Sequence, residues 1–258
     1  MDAARDPERQ RLAQAAARAR DFSGWDLSIA RPRLLEAGPP WRYEALAREY
    51  AAGAGVALDM GTGGGELIAT LRPALPRRMV ATEEWPPNVP VAARRLAPLG
   101  VSVLGAASLR LPFRDASFDL VLNRHEYLDC AEIARVLRPG GYVVTQQVGE
   151  ENWRELRRFF PRMQRFSGLH AAYRDGFAAA GLTIVRDEEH SYRVAYPTLS
   201  ELVYLLSVMP WVVPDFALDR DLDALLALER ACLGEDGLVL TESRFLIVAQ
   251  KPDRKAAR

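Results

Sequence analysis

A glycine cluster occupies residues 59–66, where the chain reads DMGTGGGE. It follows a short apolar run at 56–60 and opens the helix-favouring stretch 66–71. Glycines lack a Cβ, so the backbone can turn tightly there and approach a ligand closely. N–H groups at the start of a helix favour a polar or anionic group. The stretch predicts a ligand-binding strand–loop–helix unit, and a glycine-rich turn without a ligand is the alternative.

The spacing of the glycines excludes two common phosphate-binding loops. A dinucleotide fingerprint, G-x-G-x-x-G, needs glycine where Glu66 or Ile68 stands. The P-loop pattern, G-x-x-x-x-G-K-[ST], does not occur in the sequence.

Strand-like and helix-like stretches alternate along the chain, which predicts βαβ units and a doubly wound α/β fold. The expected strands are residues 56–60, 78–83, 101–106, 118–124, 142–148, 183–192 and 244–250. The expected helices are 41–52, 66–71, 90–97, 131–137, 153–166 and 170–180. About 50 residues separate the last two strands, too many for a hairpin loop, so we expect them to form helices that cover something. The predicted organisation is an N-terminal helical cap at 1–55, a cofactor-binding core at 56–192, a lid insertion at 193–241, and a final strand and tail at 242–258.

The pattern D-x-G-x-G-x-G at residues 59–65 resembles the first motif of class I S-adenosylmethionine-dependent methyltransferases. Three further stretches resemble that family in the right order: LPF at 111–113, FDLVLNRHE at 118–126 and LRPGG at 137–141. The resemblance covers roughly residues 50–150. It implies a seven-stranded Rossmann-like sheet, mostly parallel with an antiparallel last strand, and S-adenosylmethionine as cofactor.

The resemblance also implies where the cofactor lies. Asp59 is expected near its methionyl end, where an acid suits an ammonium and a sulfonium. Glu83, 24 residues after Asp59, is expected to bind the ribose hydroxyls, with Glu84 or Trp85 beside the adenine. An exposed acidic pair is the alternative. The other expected cofactor residues are Gly61, Thr62, Gly63, Gly65, Ala107, Ser108 and Asn123. Position 107 departs from the family, which often has an acid there, so backbone groups or Ser108 are expected to hold the adenine.

The methyl acceptor is expected beyond the end of the fourth strand. His125 is a candidate general base because its ordinary pKa suits proton removal near neutral pH, although a role in the pocket wall or in the fold is an alternative. Glu126, Tyr127 and Trp211 are candidate pocket walls, with core packing as the alternative. Cys130 lacks the context of a nucleophilic cysteine. The three histidines lack the spacing of metal ligands, so no metal is expected.

The leading functional hypothesis is methyl transfer to an O or N atom of a small molecule. An rRNA or tRNA methyltransferase is an alternative, because Arg154, Arg157, Arg158, Arg162 and Arg165 crowd one predicted helix. A second alternative is a non-catalytic protein with the same fold that binds the cofactor or serves as a scaffold.

Composition narrows the class of protein. The 34 Lys and Arg residues balance 34 Asp and Glu, which excludes a generic polybasic nucleic-acid binder. Two cysteines are too few for a disulfide framework or a four-cysteine zinc site. The first 20 residues do not resemble a signal peptide, and the longest apolar run, 202–213, is too short to span a bilayer. We therefore expect a cytoplasmic protein without membrane partners.

Overall fold

The computed structural model describes residues 5–253, which form a central β-sheet flanked by helices. The sheet order is β4-β3-β2-β5-β6-β9-β7-β1, and β8 pairs with β9. The strands are β1 (Arg33–Leu34), β2 (Val56–Met60), β3 (Arg78–Glu83), β4 (Val101–Gly105), β5 (Phe118–Arg124), β6 (Leu137–Val148), β7 (Thr183–Tyr196), β8 (Leu233–Gly234) and β9 (Gly237–Gln250).

The five strands from β2 to β6 run parallel, and β9 runs antiparallel to both β6 and β7. The predicted α/β fold with an antiparallel last strand is confirmed; β1 and β8, of two residues each, were not predicted. From β2 the chain builds outwards through β3 and β4, then returns to build β5 and β6 on the other side. Ligands in such sheets bind beyond the carboxyl ends of the strands at this reversal. The glycine loop, which follows β2, lies there.

Within residues 5–253, eight α-helices surround the sheet: α1 (Arg5–Arg18), α2 (Tyr43–Ala51), α3 (Glu66–Leu71), α4 (Val89–Leu96), α5 (Cys130–Val136), α6 (Leu169–Ala179), α7 (Leu199–Val208) and α8 (Leu218–Cys232). Side chains of α2, α3 and α4 pack with Ala57 and Leu120 on one face of the sheet. Side chains of α5 and α6 pack with Leu58 and Val121 on the other. Successive strand residues point to opposite faces, so an apolar run such as 56–60 serves both layers.

A third hydrophobic cluster joins the N-terminal segment to the insertion between β7 and β9. Leu12 of α1 packs with Leu202 of α7, Leu225 of α8 and Tyr196 at the end of β7. The two strands extend beyond their predicted ends, to Tyr196 and from Gly237, and form one long antiparallel pair. The insertion proper is therefore residues 197–236, and it shares its core with α1.

The predicted helix at 153–166 is wrong. Only Arg154–Arg158 forms a short 3₁₀ helix, because Trp153 adopts a left-handed backbone with φ of 50° and Pro161 cannot donate a helical hydrogen bond. Several of its arginines pair with acids: Arg154 and Arg157 with Glu151, and Arg162 with Asp221.

Helix α7 begins with a capping box in which Thr198 and Glu201 satisfy each other's backbone groups. We expect Thr198→Ala to lower the free energy of unfolding by about 1 kcal/mol, measured by urea denaturation. The control is Thr70→Ala, which removes an exposed hydroxyl within α3 and should change stability by less than about 0.5 kcal/mol. Equal effects of the two changes would contradict a capping role.

Candidate active site

The glycine loop turns back on itself between β2 and α3. Gly61, Gly63 and Gly65 have φ angles of 65°, 61° and 78°, which disfavour any residue with a Cβ. The Thr62 N–H donates to the carbonyl of Thr82 at 2.9 Å, fixing the loop to the end of β3. The predicted strand–loop–helix unit is therefore present, with its loop at the carboxyl edge of the sheet.

Two acids that follow β3 connect this loop to its neighbours. Glu83 accepts one hydrogen bond from the Gly63 N–H at 2.7 Å and another from the Trp85 N–H at 2.9 Å. Glu84 accepts a hydrogen bond from the Ser108 N–H at 3.0 Å, next to the exposed Ala107. The pair expected at the ribose and adenine thus also organises the backbone of three loops.

Carboxyl groups are concentrated on this side of the sheet. Burial raises the pKa of Asp59 to about 7, and the charge of Glu83 acts in the same direction. Burial, and then the charges of Glu83 and Glu84, raise the pKa of Glu126 to about 7. Burial likewise raises the pKa of Glu83. The raised pKa values mean that ionising these acids near one another, away from water, costs free energy. A cation bound among them would lower that free-energy cost.

The N-terminal segment covers the glycine loop, which the sequence did not reveal. Gly24 donates its N–H to Asn88 Oδ1 at 2.7 Å, ahead of α4. This bond seats Trp25 so closely that a Cβ at Gly63 would lie 2.7 Å from the Trp25 Cβ. Trp25 in turn stacks on Trp211 from the insertion, with ring centroids 5.8 Å apart. No sequence motif indicates these contacts, because they join segments that are far apart in the chain.

Two hollows adjoin at this edge. A cavity of about 540 Å³ lies between the N-terminal segment, the insertion, the ends of β5 and β6 and the middle of β9. A cleft of about 40 Å³ lies over the glycine loop and includes Asp59, Gly61 and Thr62 in its wall. Trp25 and Arg124 line both. They therefore form the partition between the cleft and the cavity.

His125 lies in the wall of the larger cavity, just beyond the end of β5. Its φ of 65° is unusual for a residue with a side chain, and its N–H donates to Gln146 O at 2.8 Å. Much of its ring is uncovered, but that surface faces the cavity. Burial, then the charges of Arg244 and Arg124, hold its pKa well below the ordinary value. The imidazole is therefore neutral at pH 7.

The remaining predicted residues divide between the two hollows. Tyr127 and Trp211 line the larger cavity, each about half exposed. Glu126 instead lies on the glycine loop, where a Cβ at Gly61 would be 2.5 Å from its own. Asn123 is fully buried, and its Oδ1 accepts hydrogen bonds from Thr145 and Gln147, while its Nδ2 has no partner within residues 5–253.

These residues fit S-adenosylmethionine. A Cβ at Gly61, Gly63 or Gly65 would meet Glu126, Trp25 or Leu96 respectively, so the loop requires glycine at each of these positions. The acids that surround it suit an ammonium and a sulfonium and would repel a pyrophosphate. Asp59, which is 5% exposed, supplies a carboxylate in the wall of the cleft, and Glu83, also 5% exposed, supplies one beside Gly63 of the loop.

Other reactive groups are poorly placed for chemistry. Burial raises the pKa of the Cys130 thiol to about 11, so it is not a ready nucleophile. Among residues 5–253, no cluster of three or more His, Cys, Asp or Glu side chains is arranged to hold a metal ion. No helix in the described part of the chain combines the length and apolar character needed to cross a membrane.

The raised pKa of Asp59 predicts how stability depends on pH. The folded protein keeps a proton on Asp59 up to about pH 7, whereas the unfolded chain loses it near 3.8. The destabilisation of the folded protein by the buried Asp59 carboxylate is thus absent below about pH 4 and complete above about pH 7. We expect Asp59→Asn to stabilise the protein at pH 8 by roughly 2–4 kcal/mol, and by much less at pH 5, in urea denaturation. Exposed Asp175→Asn is the control, and a benefit that does not depend on pH would contradict the assignment.

Comparison with known proteins agrees with this site. Residues 58–145 match the methyltransferase domain family. A C-methyltransferase of ubiquinone and menaquinone biosynthesis from Desulfotalea psychrophila is 31% identical over 112 residues, covering 40% of this chain and 46% of the relative. A malonyl-[acyl-carrier protein] O-methyltransferase from a Marinomonas species is 26% identical, covering 59% and 62%. The chain thus spans about half the length of the first of these relatives.

The fold extends over almost the whole chain in at least one solved structure. A protein of unknown function from Deinococcus radiodurans superposes with a TM-score of 0.61 at 18% identity, covering 95% of this chain and 99% of that one. Residues 58–145 are therefore similar to methyltransferase domains, and the chain shares its fold with solved structures of low sequence identity.

Proposed function

We propose that this protein transfers a methyl group from S-adenosylmethionine to an O or N atom of a small-molecule acceptor. One observation carries the proposal: the acid-rich cleft over the glycine loop adjoins a cavity of about 540 Å³, and Trp25 and Arg124 line both. Methyl transfer needs a donor and an acceptor held in line across such a boundary.

In this proposal the cofactor lies along the glycine loop and extends beyond the cleft of about 40 Å³, which is too small to contain it. S-adenosylmethionine supplies an electrophilic methyl group on a sulfonium. Asp59 faces the methionyl ammonium, and the Glu83 oxygens, which retain free lone pairs, accept from the ribose hydroxyls. Trp85, 47% exposed, offers a ring to the adenine. The other residues proposed to contact the cofactor are Gly61, Thr62, Gly63, Gly65, Glu84, Ala107, Ser108 and Asn123.

The cavity supports a small acceptor. Its volume of about 540 Å³ is typical of pockets that enclose a drug-sized molecule. Apolar side chains from three separate segments, such as Leu27, Met163 and Leu205, close it on the side away from the sheet. Two relatives carry names that specify small acyl or quinone chemistry, one of them O-methylation and the other C-methylation. A carbon acceptor is therefore an outcome that the assay below must distinguish.

The RNA alternative receives less support. The basic helix on which it rested is absent, and Arg154, Arg157 and Arg162 are already paired with acids. A non-catalytic binding protein would show cofactor affinity without turnover, so the same experiments separate it from the enzyme.

If the cofactor lies on the glycine loop, its binding should require glycine at position 63. We expect Gly63→Ala to weaken binding of S-adenosylhomocysteine at least tenfold in calorimetry, because a Cβ there meets Trp25 and strains the backbone. Gly181→Ala, which has a comparable φ but open space around it, is the matched control and should bind normally. Equal affinity in both variants would refute the placement of the cofactor on this loop.

The same acids predict the pH dependence of binding. Asp59 and Glu126 lose their protons near pH 7, and the ionised forms attract the cationic ligand. Affinity for S-adenosylmethionine should therefore rise roughly tenfold between pH 5.5 and 8, as calorimetry at several pH values would show. A flat profile would mean that these acids do not contact the cationic groups.

His125 is proposed as the general base. Because its pKa is well below the ordinary value, the ring stays neutral and no step in activity should occur near pH 6.5. We expect His125→Ala to lower methyl transfer by 10²–10⁴-fold, with cofactor affinity changed less than threefold. Release of S-adenosylhomocysteine with phenol, amine and quinol acceptors is the readout, and mass spectrometry locates the methyl on O, N or C. His170→Ala, outside the cavity wall, is the control; full activity of His125→Ala would refute its role as base.

A further inference from the structure

The charges in the wall of the larger cavity are opposite in sign to those of the cofactor cleft. Within residues 5–253, the wall carries three guanidinium groups, Arg31, Arg124 and Arg244, and one carboxylate, Glu242. The wall of the cleft over the glycine loop instead carries two carboxylates, Asp59 and Glu66, and one guanidinium group, Arg124. The two hollows therefore attract different ligands.

The single carboxylate of the cavity is already satisfied. Glu242 accepts hydrogen bonds from Tyr192 at 2.8 Å and Tyr196 at 2.9 Å, and it pairs with Arg244 at 3.1 Å. Arg244 also donates to Asn152 at 2.6 Å, so its orientation is fixed. These bonds neutralise Glu242 and leave it unsuited to bind a cationic acceptor.

Two of the three guanidinium groups retain most of their donors. Arg124 makes one long contact with Glu44, at 3.4 Å, and lies 5.9 Å over the ring of Tyr43. The Arg31 guanidinium makes no hydrogen bond or ion pair with another group in residues 5–253. An arginine fork with free donors matches a planar carboxylate.

The rest of the wall suits an apolar body. Met163, Phe166, Leu205, Met209 and Val212 contribute to it, together with the tryptophans at positions 25, 153 and 211. A molecule that fills this space would place apolar atoms among these side chains and present its polar end towards the end of β5.

We propose that the acceptor is an amphipathic small molecule with an apolar, preferably aromatic body and one carboxylate, which Arg124 and Arg31 hold within the cavity that His125 lines. The inference rests on the proposed methyl transfer and specifies its substrate class. Two of the same guanidinium groups, Arg244 and Arg124, act on His125 as cations, which is consistent with a positive potential in this part of the cavity. A bound carboxylate would neutralise it.

Binding of matched probes tests the proposal without knowledge of the natural acceptor. The probes are 2-naphthoate, the isosteric neutral 2-naphthamide and the cationic 2-naphthylmethylamine, with 2-naphthyl phosphate to separate a carboxylate from a phosphate preference. Each is titrated by calorimetry into the full chain saturated with S-adenosylhomocysteine, whose own binding is measured first. Quenching of tryptophan fluorescence gives a second readout, since three tryptophans line the cavity.

We expect naphthoate to bind at least tenfold more tightly than naphthamide and the amine. Arg124→Met and Arg31→Met should each reduce this preference several-fold, whereas Arg124→Lys should retain part of it. Arg94→Met, on the exposed side of α4, is the matched control and should leave the preference unchanged.

Equal binding of naphthoate and naphthamide, tighter binding of the amine or the phosphate, or no binding of any probe would overturn the proposal. If one arginine variant does not fold, the other variant and the comparison of probes on the unmodified protein still test the proposal. S-adenosylhomocysteine binding without a carboxylate preference would refute only this inference. Failure to bind S-adenosylhomocysteine would instead refute the proposed function.

Discussion

The site depends on the carboxylate of Glu83. Its two oxygens accept backbone N–H groups from Gly63 and from Trp85, so one side chain at the end of β3 ties together the loops that follow β2 and β3. Hydrogen bonds to a charged acceptor are stronger than neutral ones. This strength is needed because Glu83 is 5% exposed and lies close to other acids, all of which raise the free energy of its ionised form.

The same constraint explains why a separate layer must cover the sheet edge. Glu83 and Glu84 bind only the backbone of these loops, and Trp25 covers the glycine loop at Gly63. Trp25 is held by the backbone bond of Gly24 to Asn88 on one side and by the ring of Trp211 on the other. Because α1 and the insertion share one hydrophobic cluster, the position of Trp25 depends on packing that involves both. The partition between cleft and cavity is thus supported by segments almost 190 residues apart.

The sequence predicts those parts of the site that follow strands. Asp59, Glu83 and His125 each come directly at or after the end of a strand, and parallel strands bring such ends to one edge. Trp25, Asn88 and Arg244 give no comparable signal, because nothing in the neighbouring sequence marks them as part of a site. The failure at 153–166 is also physical. Helical spacing of arginines and aromatics was outweighed by a left-handed residue at Trp153 and by Pro161.

The opposed charges of the two hollows bear on the proposed chemistry. Acids in the cleft favour a cation, and arginines in the cavity favour an anion, yet Arg124 lies at the boundary and acts on both Asp59 and His125. In a desolvated site these fields are little screened, so each ligand is held by its own charge and the reacting atoms meet between them. An acceptor held in this way by its carboxylate has its reacting hydroxyl or amine near a neutral His125, which directly follows Arg124 in the chain. Binding energy from the carboxylate, which does not itself react, then positions the reacting atom, and this use of binding energy raises a rate instead of only an affinity.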